Sequence, residues 1–415
     1  MASFAEILLF LTLCWPFLAG IALIATGRPG TDESGTDHDT VMLRLPFAVI
    51  GLLLTVLNLP LAVYMTVTGS STAHFWLIET PVAVLGSMIL YGGLLSENLA
   101  LCPRTGRSLA VLERARPFWT TGLIVVAVFF ADPLAKMAIL LLASILRVLL
   151  IDGGQGRAVA GWTVLRTKAS GALLVLAGLL CPGTSASGVL AGIGYAVLTG
   201  LFPVSAFPEE ADNARLPDIR NMGETVRASA GALLLASVLS ASPLPSESSA
   251  IFSLTLISFG FVTVFVTSFR MQFAGASADI RLSQGLNVSQ GCLALGAIAA
   301  GLNLPMVTCF ALIPPVLTLP WLARSEMTAA SDLSGRLAEW TAGLLPFITV
   351  LIILYVMTTY SVILALALTI IVLPAIRRGG RDLIPLMNGI RPGAFSRSTV
   401  AQRDAPISSV PELRD

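Results

Sequence analysis

The sequence predicts an all-α polytopic membrane protein with about 13 (12–14) transmembrane helices, and three observations predict it. The chain is 55% hydrophobic and only 12% charged, about half the charged share of a soluble domain. It divides into apolar runs close to the roughly 20 residues that a bilayer core requires. Arginine recurs in every second connection between those runs, the asymmetry that cytoplasmic loops carry. The first observation alone excludes soluble enzymes, nucleic-acid binders and disulfide-stapled secreted domains, because so few charges cannot cover a soluble surface of 415 residues. The net charge of +1 implies no strongly acidic or basic partner.

In order, the runs lie near 4–26, 45–67, 79–101, 118–131, 133–151, 162–181, 187–206, 226–242, 250–269, 286–303, 304–323, 337–357 and 358–376. The first has no basic leader and is long enough to span, so it reads as a retained helix rather than a signal peptide. The odd connections carry Arg28 and Arg44; Arg104, Arg107, Arg114 and Arg116; Arg157; Arg215 and Arg220; Arg270 and Arg281; and Arg324 and Arg336. The even connections, such as Thr68–Thr72, Pro182–Ser187 and Ser242–Ala250, carry none. This alternation places the odd side in the cytoplasm, the N-terminus outside and the C-terminus inside, as expected of a multi-pass protein of a bacterial cytoplasmic (inner) membrane. Residues 1–376 form one transmembrane domain, and 377–415 a cytoplasmic tail expected to be flexible.

Candidate metal sites do not stand up. His38 lies among Asp32, Glu33, Asp37 and Asp39, but no ligand spacing is met and the segment reads as a solvated acidic loop. The five cysteines lie singly in or beside apolar runs, without CxxC spacing, which favours buried thiols over a disulfide or metal framework. CPGTSASG has no strand before it and no nearby histidine, so it is not a nucleophile elbow. GIGYAVLTG lacks the strand–turn–helix context of a nucleotide fingerprint. No cofactor motif appears, and the chain is read as a non-catalytic membrane protein.

Ionisable residues inside spans are costly and mark an ion path or a partner contact by default. The candidates are Glu97 late in the third span, Asp132 and Lys136 around Pro133, Arg147 three turns further along that face, Lys168 in the sixth span, and Glu224 with Arg227 opening the eighth. Asp132 and Lys136, four apart, are spaced to pair on one helix face. The competing reading is that these groups lie at membrane boundaries and snorkel to water. Helix breakers expose backbone polar groups, tolerated only where protein or water covers them. Pro203 and Pro208 end the seventh span, and Pro314, Pro315 and Pro320 fall in the eleventh. Breaks at corresponding places in two halves point to a transport site; the alternative is kinking for packing.

Three segments in fixed order resemble the antiporter-like membrane subunits shared by respiratory complex I, membrane-bound hydrogenases and multisubunit sodium/proton antiporters. FFADPLAKMAILLLASILRVLLI with WTVLRTKASGALLVLAGLL resembles that family's fifth and sixth helices. GIGYAVLTGLFPVSAFPEEA resembles its broken seventh helix. FVTSFRMQFAGASADIRLSQGLNVSQGCLALGAIAAG resembles the ninth and tenth, and ALIPPVLTLPWLA the Pro-Pro start of the broken twelfth. The likeness covers roughly 118–325.

The departures matter as much. The family's fifth-helix glutamate falls at about Leu142, its seventh-helix lysine on Leu198, its central eighth-helix lysine near Val226 or Arg227, and the histidine after the seventh-helix proline on Ser205. The resemblance therefore implies the scaffold with a reduced ion path. It implies other antiporter-like membrane subunits as partners, together with a peripheral redox or carbon-uptake module that holds any redox chemistry. A non-conducting structural subunit of such a complex, and a stand-alone secondary transporter, are the alternatives.

Overall fold

The computed structural model of the protein describes residues 2–26, 37–68, 80–101, 111–149, 155–182, 184–204, 219–240, 246–273, 280–325 and 333–388. They form helices throughout: α1 (Ala2–Thr26), α2 (Asp37–Thr68), α3 (Pro81–Leu101), α4 (Val111–Phe129), α5 (Pro133–Leu149), α6 (Gln155–Leu180), α7 (Ser185–Thr199), α8 (Ile219–Ser240), α9 (Ser246–Phe273), α10 (Ile280–Gly301), α11 (Pro305–Ser325), α12 (Leu333–Tyr360) and α13 (Val362–Asn388). Each corresponds to one expected run. Six are long and apolar enough to cross a membrane by length and composition, and five shorter apolar helices accompany them. The protein is a multi-pass membrane protein.

Helix boundaries differ from the apolar runs in one consistent way. α4 and α8 begin seven residues before their runs, and α10 six. The apolar pattern marks where a helix meets hydrocarbon, whereas hydrogen bonding carries the helix on into polar sequence. This brings Arg114 and Arg116 into α4, and Asn221, Glu224 and Thr225 into α8. At the other end α13 runs to Asn388, past the expected start of the tail at 377. Pro208, the side chain of His38 and residues 389–415 lie outside the described residues.

α8 is the hub. It touches α3, α4, α5, α7, α9, α10 and α11, and 83% of its apolar window is buried, against 28% for α2 and α6. Small residues make that crowding feasible. A Cβ on Gly231 would lie 2.2 Å from Ile124 of α4, and one on Gly93 of α3 would lie 2.3 Å from Val316 of α11. Helices α6, α7 and α9 approach backbone to backbone: a Cβ on Gly188 of α7 would lie 2.3 Å from the backbone oxygen of Ser248 of α9, and one on Gly178 of α6 2.7 Å from that of Ser187 of α7.

Two helices end in the same way. Gly200, at φ 72°, closes α7, with its N–H bonded to the Val197 carbonyl and that of Leu201 to the Ala196 carbonyl. Asn303, at φ 55°, closes α10 through bonds from its N–H to Ala300 and from Leu304 to Ala299. Both are Schellman ends, which favour glycine or asparagine in the left-handed region. Pro203 follows the end of α7 in a cis peptide with Phe202, whose N–H is held by the Thr263 hydroxyl of α9 at 2.9 Å. The expected break in the eleventh span does not occur. α11 is continuous through Pro314, Pro315 and Pro320, so these prolines do not end the helix. The actual interruption comes earlier, at Leu302–Leu304 between α10 and α11.

Candidate functional site: buried ions around α8

The starts of α4 and α8 and the ends of α3 and α5 meet at one end of the bundle. Glu224 on α8 is 2% exposed and bridges two guanidiniums: Arg116 Nε of α4 at 3.0 Å and Arg147 Nε of α5 at 3.4 Å. Asn221, one turn earlier on α8, fixes the same arginines. Its side-chain oxygen accepts from Arg116 Nη2 at 3.2 Å, and its carbonyl accepts from Arg147 Nη2 at 3.0 Å. The Thr225 hydroxyl accepts from Arg147 at 2.6 Å and donates to the Asn221 carbonyl at 2.7 Å. A second pair lies beside it, Arg227 Nη1 of α8 on Glu97 Oε2 of α3 at 2.5 Å, both side chains 1% exposed. The Nε and Nη2 groups of Arg227 have no hydrogen-bond partner among the described residues.

Lys168 of α6 is buried too, and it pairs with no carboxylate among the described residues. Its ammonium donates to the Leu198 carbonyl, and the Ser229 hydroxyl of α8 lies 3.5 Å away. Leu198 is in the last turn of α7, where carbonyls lack intrahelical partners and the helix dipole favours a cation. The early end of α7 at Gly200 thus creates the acceptor that Lys168 uses. Beside it lies a small cavity, with room for about one water, lined by Thr120 and Ile124 of α4, Leu140, Ala143, Ser144 and Arg147 of α5, Val164 and Lys168 of α6, and Glu224 and Ala228 of α8.

The sequence candidates therefore divide. Glu97, Arg147, Lys168, Glu224 and Arg227 come together around α8, buried rather than snorkelling. Lys136 is buried on the same inward stripe of α5 as Leu140, Ala143 and Arg147, at the opposite end of the helix from the cluster. The expected pair of Asp132 with Lys136 does not close to ion-pair distance, although Asp132 remains an electrostatic neighbour of Lys136. Asp132 is exposed and caps α5, accepting the Ala135 N–H at 2.8 Å. An aspartate just before a proline-led helix is in the ordinary N-cap position, and capping turns its carboxylate toward the backbone. Leu142, taken as the site of the family's glutamate, is 51% exposed and faces out of the bundle. Leu198 is buried but contributes its carbonyl.

Sequence reasoning missed Arg116, assigned to a loop, and the polar spokes Asn221, Thr225 and Ser229. A signal for the latter existed, since Asn221, Thr225 and Ser229 recur every four residues with Glu224 and Arg227 between them. No metal-binding group of His, Cys, Asp or Glu occurs among the described residues, and the four described cysteines are free.

No family model matches the sequence, and no curated protein matches it. Among solved structures, the chain resembles one from an archaeal respiratory membrane complex, the membrane-bound sulfane sulfur reductase. The TM-score is 0.64 at 15% identity, over 88% of this chain and 85% of that one. At that identity the likeness shows a shared fold with a chain of that complex.

Proposed function

We propose that the chain is a membrane subunit of a respiratory-type complex that translocates protons or other cations, related to the antiporter-like subunits of complex I and hydrogenases. The observation that carries this reading is the fold shared across nearly nine-tenths of the chain with the archaeal respiratory complex. The buried ions around α8 support it, because charge inside a bilayer is retained chiefly at ion paths and partner contacts. In this reading the N-terminus is outside and the C-terminus faces the cytoplasm, at a bacterial inner membrane. Antiporter-like siblings lie alongside in the bilayer, and a peripheral redox or carbon-uptake module drives the complex. The chain itself catalyses no bond chemistry.

A second reading, a non-conducting structural subunit, is favoured by one feature. Arginine forms both carboxylate pairs, and a guanidinium does not give up its proton. Affinity purification from the native membrane in mild detergent, followed by mass spectrometry, tests the common core. Recovery with membrane siblings and a redox or carbon-uptake module is expected. Recovery of the chain alone would overturn the complex-subunit reading and promote a stand-alone transporter.

A further inference from the structure

Most arginines with described side chains have an evident place. Arg44, Arg114, Arg116, Arg147 and Arg227 are buried. Arg270 lies one residue before the apolar stretch of α9 ends, and Arg377 three beyond that of α13. Arg166 of α6 fits neither group. It is exposed, and it makes no hydrogen bond or ion pair among the described residues. It lies five residues, about 7.5 Å, inside the apolar stretch Gly161–Leu180. Ionisable side chains within spans almost always face the bundle interior, as Lys168 does two positions later. Arg166 faces out.

The face it occupies indicates what meets it. Trp162, Arg166, Ser170 and Leu173 are exposed at steps of four, four and three, a single stripe of helix surface. Lys168, Ala172 and Val175, on the other side, are buried. Trp162 lies one residue from the start of the apolar stretch, at the depth where tryptophan meets lipid headgroups. Helical side chains lean toward the N-terminus of their helix, and for Arg166 that is the direction of the nearer membrane surface. Its stem can therefore lie along hydrocarbon while the guanidinium reaches the headgroups. The neighbouring hydroxyls are satisfied on their own helix: Thr167 donates to the Thr163 carbonyl at 3.0 Å and Ser170 to the Thr167 carbonyl at 2.9 Å. What remains is one guanidinium without a partner, and its fork of donors matches a phosphate.

We propose that Trp162 and Arg166 form a binding site for one anionic phospholipid. The Arg166 guanidinium holds the lipid phosphate, the Trp162 indole lies at the headgroup level, and an acyl chain runs along Leu173 and Leu180, both exposed. An anionic headgroup is preferred because a zwitterionic lipid brings its own cation to the phosphate. The site is separate from the buried ions around α8 and does not depend on whether the subunit conducts.

The test uses the full chain in vesicles of phosphatidylcholine and phosphatidylglycerol. It follows the fluorescence of Trp162, taken as the difference between the chain and its Trp162→Phe variant. Quenching by brominated phosphatidylglycerol is expected to report an enrichment of about fivefold at Trp162 relative to brominated phosphatidylcholine. Arg166→Gln should abolish that preference. Arg377→Gln should leave it unchanged, because α13 packs against α9 and α12 and not against α6. Equal quenching by the two lipids in the unaltered chain would overturn the proposal. So would an equal loss from Arg377→Gln, which would reduce the effect to the general attraction of a basic membrane face.

A protein neighbour is the competing occupant of this stripe. With Leu173 replaced by the photo-reactive benzoylphenylalanine in the native membrane, cross-links to lipid alone are expected. A cross-link to a second protein chain would assign the face to a subunit interface and overturn the lipid site.

Discussion

Glu224→Gln isolates the electrostatic keystone of the bundle. The substitution keeps shape and removes one charge from a side chain that is 2% exposed, 3.0 Å from Arg116 and 3.4 Å from Arg147. At an effective dielectric of about 20, each contact is a gross attraction of roughly 5 kcal/mol, most of it offset by the desolvation already incurred. What the variant loses is set by two buried guanidiniums deprived of their shared carboxylate, for which removal of one partner costs about 3–5 kcal/mol. The low end applies, because Arg147 keeps the Asn221 carbonyl and Thr225, and Arg116 keeps the Asn221 side chain. Reversible unfolding of the detergent-solubilised chain should therefore show a loss near 3 kcal/mol. Adding Arg116→Met should recover part of it, with a coupling energy of about 1–3 kcal/mol. A loss below about 1 kcal/mol, or strict additivity in the double variant, would refute the claim that Glu224 holds α4 and α5 to α8.

Three further outcomes follow from the packing. Gly188→Ala should destabilise by about 1–3 kcal/mol, because its Cβ would meet the Ser248 carbonyl at 2.3 Å and backbone cannot rotate aside, whereas Gly296→Ala, whose closest contact would be 3.4 Å, should be nearly neutral in the same unfolding assay. Gly200→Ala should cost about 1–2 kcal/mol for its left-handed backbone and disturb the Leu198 carbonyl; Asn303→Gly, at the matching end of α10, should cost nothing measurable. Leu142→Glu should not create an ion path, since position 142 is 51% exposed outside the bundle. It should instead lower membrane insertion by a few kcal/mol, about 2.5–3.5 for an acidic group at a helix centre, and an increase in translocation would contradict the placement.

Much of the fold was legible in the sequence because the bilayer imposes a single strong rule. Every spanning segment must satisfy its backbone internally and present apolar side chains to lipid. Run length and composition therefore gave the thirteen described helices in the right order. Their polar ends were not legible, because hydropathy records the depth of hydrocarbon and not the extent of hydrogen bonding. For the same reason Arg116 was read as part of a loop. The prolines of α11 misled because proline lowers helix propensity without forbidding a helix whose neighbours cover the freed carbonyls. At Asp132 a local capping bond outcompeted the i,i+4 pair with Lys136, and both options have the same spacing signature.

By itself the sequence determined that this is a membrane protein, which segments are helices, and which few residues are ionisable within them. The near-absence of lysine was there to be read as well. Only the tertiary structure decided partners: that Glu97 belongs to Arg227, 130 positions away, that Glu224 is shared by Arg116 and Arg147, and that the open end of α7 faces Lys168. The physical reason is one of range. Hydrophobic patterning acts along a single helix and is written in consecutive residues, whereas a buried charge is stabilised by whichever groups the packing of several helices brings within about 4 Å.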